Sequence, residues 1–413
     1  MASTRKDNKG RVLRKGESFR KKSGQYQFAY QDESGKRQYI YSKDLLILRQ
    51  REDEIRRDQL DGICSKQAKD LTLNEMFDRY MATRTDLAAR TYAGYEMIFD
   101  CHVRERIGKR KLKDIRYSDV VLFFMNLQKE KQLSLGTIER IYRVIYPAFE
   151  MAVRDCIIRV NPAKKSLSQF KQKTGAKKGI RRALTLEEQK AFLNFMDGHP
   201  VYDHWKAVYT FLIGTGLRVG EFCGLTWKDI DLEKGMIHVD HALVYFAGRR
   251  NKGPKRHYIT NPKTEAGIRT VPIVKEVREA LEDNKRYLHE TGVISVSEID
   301  GYRDFVFLNR FGRAFIATDL DRNLERIIDS YNDYAIHEAA KNKTEPLILP
   351  HFTCHSLRHT FCARLCENES NLKVIQEIMG HVDIGTTMNI YAEVSEMRKK
   401  ASMEAMTEKM ALF

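Results

Sequence analysis

The sequence predicts a multidomain α+β protein, and three observations lead to that prediction. The chain has 413 residues, of which 42% are hydrophobic, so it is too long for one average domain and apolar enough for packed cores. Apolar residues alternate near the N-terminus, as in strands, whereas they recur every three or four residues through much of the remainder, as in helices. Positive charge is concentrated in two separate segments, which suggests distinct modules along the chain.

A small sheet with one helix is predicted for residues 1–70. Residues 1–10 have the composition of a disordered basic tail, and strands are expected between residues 11 and 42 around a turn at residues 33–36. Residues 43–60 are expected to form the helix. The alternating aromatic residues that indicate the strands are Tyr26, Phe28, Tyr30, Tyr39 and Tyr41.

An all-α domain is predicted for residues 71–162, which are helical in pattern throughout. Thr72, Ser118 and Ser134 each precede an apolar periodic run and can cap a helix. Asn161-Pro162 closes the segment, because proline cannot continue a helix.

Residues 163–182 are predicted to be a basic linker, and residues 183–413 a third, mainly α-helical domain. Thr185 followed by Glu188 has the spacing of a capping box. Strand-like alternation between residues 236 and 274 predicts one small antiparallel sheet within this domain.

The distribution of charge favours a nucleic-acid partner. The net charge is +16, and residues 1–43 and 163–182 each carry +8, so the rest of the chain is neutral overall. One basic run alone could be a solvated tail, but two acid-poor runs favour contact with phosphates. The linker in particular is predicted to contact the DNA backbone.

Several classes of protein do not fit the composition. The N-terminus has no apolar stretch of the kind found in signal peptides, and no apolar run approaches the length of a membrane span. The seven cysteines include no CxxC pair, which argues against a disulfide scaffold and against a four-cysteine zinc site. A cytoplasmic protein without membrane contact is therefore expected.

Four sequence islands carry the candidate chemistry. They are TGLRVGEFCGLTWKDID (215–231), NPKTEAGIRTVPI (261–273), HSLRHTFCARL (355–365) and IMGHVDIGTTMNIYAEV (378–394). The pattern resembles the tyrosine recombinase (phage-type integrase) family: an Arg in TGLRxGE, a His-x-x-Arg, a GH about 23 residues after that Arg, and a Tyr ten residues further. Each piece is weak alone, but all four in order are specific. The basic N-terminal module is similar to the arm-binding domains of integrases from phages and conjugative transposons.

The resemblance implies a role for each of these residues. Cleavage of a phosphodiester by an enzyme nucleophile adds negative charge to the non-bridging oxygens, and two arginine forks can stabilise that charge without a metal. By resemblance, Tyr391 is the nucleophile, forming a 3′-phosphotyrosine, and Lys263 is the general acid for the 5′-oxygen. Glu221 is expected to support the site. The catalytic set implied by the resemblance is Arg218, Lys263, His355, Arg358, His381 and Tyr391.

Some assignments leave alternatives open. Lys252 and Lys255 lie in the same basic stretch as Lys263, residues 245–263, which is interpreted as a phosphate-tracking insertion or as a solvated loop. His355 and His359 have a spacing that can chelate zinc, but no HExxH glutamate accompanies them. No metal and no other cofactor is predicted.

The resemblance further implies an enzyme that cuts and rejoins double-stranded DNA to integrate and excise a mobile element. It would act as a homotetramer on core and arm-type sites, and integrases of this kind often depend on an excisionase and a host DNA-bending protein. A type IB-like topoisomerase and a non-catalytic DNA-binding regulator are the alternatives. A metal-dependent nuclease is not favoured, because no acidic cluster accompanies the motifs. A C-terminal methionine stripe is predicted to form a helix that packs on its own domain or on a neighbouring subunit; its residues are Met403, Met406, Met410 and Phe413.

Overall fold

The computed structural model describes most of the chain in two compact units, residues 1–179 and 180–413. The described residues are 5–32, 35–60, 70–176, 182–246, 256–262 and 264–392. Several predicted features lie outside them: the turn at 33–36 in part, most of the basic stretch 245–263 including Lys252, Lys255 and Lys263, and the C-terminal methionine stripe. Apart from the linker at residues 163–182, the predicted domain boundaries stay predictions.

The N-terminal module contains a three-stranded antiparallel sheet covered by one helix. Phe19 lies opposite Tyr26 and Phe28 opposite Ile40 in the register of the strands. Tyr26 and Phe28 are buried with apolar residues of the helix, which is why the alternation in the sequence is so clear. The elements are β1 (Glu17–Arg20), β2 (Gln25–Gln31), β3 (Arg37–Ser42) and α1 (Leu45–Leu60).

The prediction of a disordered tail over residues 1–10 is wrong for residues 5–10. Lys6 pairs with Val12 in an isolated antiparallel bridge, and Asp7 is buried. The Asp7 carboxylate accepts hydrogen bonds from Arg11 Nε at 2.8 Å and from the Tyr26 hydroxyl at 2.9 Å. A buried carboxylate needs such partners, and the local basic composition gave no sign of them.

The following part of the first unit is all-α, as predicted. The capping box of Thr72 with Glu75 and the cap of Ser134 are confirmed. The cap predicted at Ser118 is wrong: the helix begins at Tyr117, and the Asp119 carboxylate accepts the backbone N–H of Arg116 at 2.8 Å. The helices are α2 (Leu73–Thr83), α3 (Ala89–His102), α4 (Tyr117–Lys131), α5 (Leu135–Arg154) and α6 (Ser166–Thr174).

Helix α6 corrects the prediction that residues 163–182 are a linker. Phe170 of this helix is fully buried, and its ring lies 6.1 Å from that of Phe124 in α4. Lys171 pairs with Glu139 of α5 at 2.7 Å. The high charge of this segment gives no indication that Phe170 is buried. Most of the segment belongs to the helical core, and residues 177–181 lie outside the described part.

The second unit is mainly α-helical, and the capping box of Thr185 with Glu188 is confirmed. Its large buried core is rich in aromatic residues and includes Tyr209, Phe211 and Phe222. The helices are α7 (Leu186–Met196), α8 (Asp203–Thr215), α9 (Val219–Gly224), α10 (Lys275–Thr291), α11 (Ala317–Asn342), α12 (Cys354–Asn368) and α13 (Leu372–Met379), and residues 384–392 are also helical.

The single sheet predicted over residues 236–274 is two sheets among the described residues. One contains, in this order, β4 (Ile230–Asp231), β5 (Met236–Val239) and β8 (Arg269–Pro272). The other is the hairpin of β6 (Ala242–Phe246) and β7 (Arg256–Thr260). The strand pattern is interrupted between β5 and β6, where the side chain of His241 is buried. Its Nε2 lies 2.8 Å from the carbonyl of Gly224 and its Nδ1 lies 2.5 Å from Asp240.

Candidate active site

Arg218 stands at the N-terminal end of the short helix α9. Helix α8 ends at Gly216, whose φ of +60° suits a residue without a Cβ. The Glu221 carboxylate accepts both the backbone N–H of Arg218, at 2.8 Å, and its Nη1, at 2.7 Å. Arg218 Nη2 donates to the carbonyl of Gly380 at 2.6 Å. The side chain of Arg218 is still 41% exposed, so its guanidinium group can contact a ligand while Glu221 and the Gly380 carbonyl fix its orientation.

Arg358 lies on α12 and is only 4% exposed. Its Nη1 donates to the carbonyl of Gly216 at 2.7 Å, and its Nη2 donates to the carbonyl of Met379. Burial, together with the positive charge of Arg218, lowers the pKa of Arg358 to about 9. Arg358 therefore remains a cation at neutral pH, and its two carbonyl partners fix its orientation.

Arg269 is a further arginine of the site, and the sequence motifs do not predict it. It lies at the start of β8, and its side chain is 5% exposed. Its Nη1 and Nη2 donate to the two carboxylate oxygens of Glu221 at 3.1 and 2.8 Å, and its Nε donates to the carbonyl of Ile378 at 2.8 Å. Burial raises the pKa of Glu221, but Arg269 and Arg218 outweigh it and lower that pKa to about 2. Glu221 is therefore an anion at neutral pH.

The three arginines converge on the C-terminal end of α13. Ile378, Met379 and Gly380 each offer one backbone carbonyl to a different guanidinium. The carboxyl end of a helix leaves carbonyls unpaired and carries partial negative charge, so it suits cations. Gly380 ends this helix at φ +61°, where a Cβ would lie 2.8 Å from the carbonyl oxygen of Ala266. Only glycine allows this close approach of the helix end to the chain before β8.

His381 follows this helix end directly. Its Nδ1 lies 3.0 Å from the Oγ1 of the buried Thr387. Burial first, and then the positive charges of Arg358, Arg218 and Arg269, lower the pKa of His381 to about 4. The imidazole is therefore neutral at physiological pH in the absence of a bound anion.

The predicted nucleophile packs on the same helices. Tyr391 lies in the helical segment 384–392 and is partly buried against a small core cluster that joins α12 and α13. The buried members of that cluster are Cys362, Ala363, Cys366, Ile375 and Met379.

His355 is exposed on the first turn of α12, three residues before Arg358. Residues three apart on a helix lie on the same face, so His355 lies one turn from Arg358 on the side of α12 that carries the site. The structure thus gathers Arg218, Arg358, His355 and His381, whereas Lys263 is outside the described residues.

Within the described ranges, one group of side chains lies close enough to share a metal ion: Asp229, Asp240 and His241. This group does not include His355 or His359, whose spacing can chelate zinc. In the same part of the chain, no helix has the length and apolarity needed to cross a membrane.

The sequence profile of the phage integrase family matches residues 182–398, which contain the whole site. Two further profiles match the first unit: the DNA binding domain of Tn916 integrase at residues 1–59, and the N-terminal SAM-like domain of phage integrases at residues 72–128. The chain therefore belongs to the phage integrase family and is a tyrosine recombinase, an enzyme that binds DNA and catalyses site-specific recombination.

Among its relatives is the transposase from transposon Tn916 of Enterococcus faecalis. That protein is 32% identical over 421 residues, spanning 99% of this chain and 98% of the relative. The transposase from transposon Tn1545 of Streptococcus pneumoniae is equally similar over the same coverage.

Solved structures show the same similarity. The Tn1549 transposon integrase in complex with transposon right end DNA has 31% identity and a TM-score of 0.67, covering 81% of this chain and 99% of that one. A lambda integrase tetramer bound to a Holliday junction shares the fold at 18% identity and a TM-score of 0.52, over 91% and 94% of the two chains.

Proposed function

We propose that Tyr391 cleaves DNA by direct transesterification within the site described above. Its phenolic oxygen bonds to the scissile phosphorus while the bond from phosphorus to the 5′-oxygen breaks. The products are a 3′-phosphotyrosine and a free 5′-hydroxyl, and the phosphoryl bond energy is kept for rejoining. The tyrosine gives up a proton, and the departing 5′-oxygen takes one. We assign Lys263 as the donor of the proton to the 5′-oxygen because of its place in the family motif.

The observation that carries this proposal is the surplus of positive charge around one carboxylate. Arg218, Arg269 and Arg358 are cations at neutral pH, while Glu221 is the anion bonded to two of them. The partly exposed Arg218 is the natural first contact for a phosphate, and the buried Arg358 is held in position beside it. Fixed donors of this kind stabilise charge that develops in the transition state without having to reorganise.

The histidines complete this arrangement. Because the imidazole of His381 is neutral, it can accept the tyrosine proton or hydrogen-bond the phosphate. Its Nδ1 lies beside Thr387, so Nε2 is the candidate contact to the substrate. His355, exposed on the turn that leads to Arg358, is assigned a second hydrogen bond to the phosphate.

The enzyme integrates and excises a mobile element of the conjugative-transposon type. The near full-length similarity to transposases of Tn916 and Tn1545 supports this, as does the similarity to a Tn1549 integrase in complex with transposon DNA. The N-terminal module, which matches a DNA binding domain, is assigned to arm-type sites, and the two later domains to core sites. We place the reaction in the cytoplasm, where the DNA substrates lie.

Recombination between two duplexes requires four active subunits, and we infer a homotetramer on DNA. The lambda integrase tetramer has the same fold, which supports the inference. The methionine stripe beyond residue 396, outside the described part of the chain, is the candidate segment for exchange between subunits. An excisionase and a host DNA-bending protein remain proposed partners.

The proposal is tested with Tyr391→Phe, which removes the hydroxyl and retains the ring that packs on α12 and α13. We expect the covalent protein–DNA adduct on a nicked core-site substrate in EDTA to disappear, while DNA binding changes by less than about threefold. Tyr334→Phe, on the exposed face of α11, is the matched control and should form the adduct normally.

An adduct that survives Tyr391→Phe would refute the assignment of the nucleophile. An absence of any adduct with the wild type would favour the non-catalytic regulator. Strand exchange between two core-site duplexes then distinguishes a recombinase from a topoisomerase, which relaxes supercoils without exchanging partners.

A further inference from the structure

Arg269 connects three elements of the site and is not part of the catalytic set implied by the motifs. It reaches from β8 to Glu221 on α9 and to the carbonyl of Ile378 at the end of α13. We propose that Arg269 is a positioning residue for cleavage: it shares the charge of Glu221, so that Arg218 keeps its own positive charge for the scissile phosphate. This inference rests on the phosphate-binding role proposed for Arg218.

The hydrogen bonds of Glu221 show how the charge is divided. Its two carboxylate oxygens accept four hydrogen bonds: two from Arg218, at 2.7 and 2.8 Å, and two from Arg269, at 2.8 and 3.1 Å. One anion thus faces two guanidinium groups, and the trio keeps a positive charge. Without Arg269, Glu221 and Arg218 would form a neutral pair, and the carboxylate would compete with phosphate for the same guanidinium.

The same side chain fixes the position of the helix end. Arg269 Nε holds the carbonyl of Ile378, two residues before the Gly380 carbonyl that holds Arg218. A Cβ on Gly380 would lie 3.0 Å from Cδ of Arg269, so the two segments are in close contact. Arg269 therefore sets both the charge around Arg218 and the place of the carbonyl that orients it.

Arg269 could instead serve only to stabilise the fold, because a buried ion pair that loses one partner destabilises a protein whatever its function. The two roles differ in how they depend on the charge of the substrate. A methylphosphonate at the scissile position replaces a non-bridging oxygen by a methyl group and removes its negative charge. A residue that acts through neutralisation of the phosphate matters less on this substrate, whereas a purely structural residue matters equally on both.

The experiment compares single-turnover cleavage of nicked core sites that carry either a phosphate or a methylphosphonate. Arg269→Gln should slow cleavage of the phosphate substrate on the order of 10²-fold, like the loss of a preorganised donor. DNA binding should change by less than about threefold, because it depends mainly on contacts along the backbone. On the methylphosphonate, the penalty should shrink to below about tenfold. Arg269→Lys keeps a charge but not the planar fork and should give a smaller, still substrate-dependent loss; this variant serves if Arg269→Gln does not fold.

Two further variants complete the design. Arg364→Gln removes an arginine of α12 that also bonds a glutamate and a carbonyl, Glu367 at 2.7 Å and the Leu184 carbonyl at 2.8 Å, and any penalty should be the same on both substrates. The loss of cleavage rate caused by Arg218→Ala should be smaller on the methylphosphonate than on the phosphate. If this holds for Arg218→Ala but not for the Arg269 variants, the positioning role of Arg269 is refuted while the role of Arg218 stands. The same conclusion follows if the Arg269 variants cleave the phosphate substrate normally. If neither is relieved, the phosphate-binding role of Arg218 fails as well.

Discussion

At the scale of single residues, the site is organised by the hydrogen-bond acceptors that fix the orientation of each guanidinium group. Arg218 and Arg269 share Glu221, whereas Arg358 has backbone carbonyls as its partners. The motifs predicted Arg218, Arg358 and Glu221, because these residues lie in short recognisable strings. They did not predict Arg269: its partners are 48 and 109 residues away in sequence, and a single sequence contains no signal for such contacts. Its place in IRTVPI, within one of the four islands, was the only hint.

The lowered pKa of His381 predicts a pH dependence of stability. Its ordinary pKa of 6.5 falls to about 4 in the folded protein, so between these values the unfolded chain binds a proton that the folded chain does not. The free energy of unfolding should therefore fall as the pH is lowered from about 6.5 towards about 4. In His381→Gln this part of the decrease should be absent.

Urea midpoints at about pH 7.5 and about pH 5 measure the effect. The drop between the two should be smaller in His381→Gln than in the wild type. His238→Gln, which changes an exposed histidine of the same unit, shows what the loss of an exposed imidazole does. An equal drop in His381→Gln and the wild type would contradict the prediction.

At the scale of elements, predictions from the sequence succeeded where the end of an element depends on contacts between residues close in sequence. Caps made by Thr72, Ser134 and Thr185 are local, so the sequence was sufficient to place them. The end of β5 depends instead on His241, which bonds the carbonyl of Gly224 on another element. Alternation continues through this break, which is why one sheet was predicted where the structure has two.

The end of α8 provides a prediction of its own. Gly216 has φ +60°, and a Cβ there would overlap with the ring of Phe361 on α12, three residues after Arg358. Gly216→Ala should reduce the free energy of unfolding by about 1–2 kcal/mol for the left-handed backbone and by about 1–3 kcal/mol more for the overlap. Cleavage should also slow, because the Gly216 carbonyl orients Arg358.

Gly292→Ala is the matched control for Gly216→Ala. Gly292 also ends a helix, with φ +66°, but a Cβ there meets nothing within 4 Å. Gly292→Ala should reduce the free energy of unfolding only by about 1–2 kcal/mol for the left-handed backbone, with cleavage unchanged. Denaturant titration and single-turnover cleavage of both variants provide the comparison. Equal losses in the two variants would show that contact with Phe361 does not matter.

At the scale of the whole molecule, charge and fold are distributed differently along the chain. The two segments with +8 each account for the net charge, yet part of the second segment is a helix packed in the core of the helical domain. Exposed Lys164 and Lys173 remain available to phosphates, whereas Lys171 is paired with Glu139. A sequence shows where charge is, but only packing shows which charges face solvent.

The last prediction concerns the independence of the N-terminal module. Its sheet and helix have their own buried cluster, Leu13, Tyr26, Phe28, Leu45 and Leu48. Its described contacts with the helical domain include one ion pair, Asp58 with Arg159 at 2.8 Å. That pair is partly exposed and contributes at most about 1 kcal/mol.

Removal of residues 1–70 should therefore leave the remainder folded and able to bind and cleave isolated core sites, but unable to bind separate, distal repeats. Gel-shift and adduct assays on both kinds of site measure this, and full-length Arg159→Gln isolates the loss of the ion pair. If the truncated protein cleaves no core site while Arg159→Gln cleaves normally, the module is not independent, and arm and core recognition are parts of one folded structure.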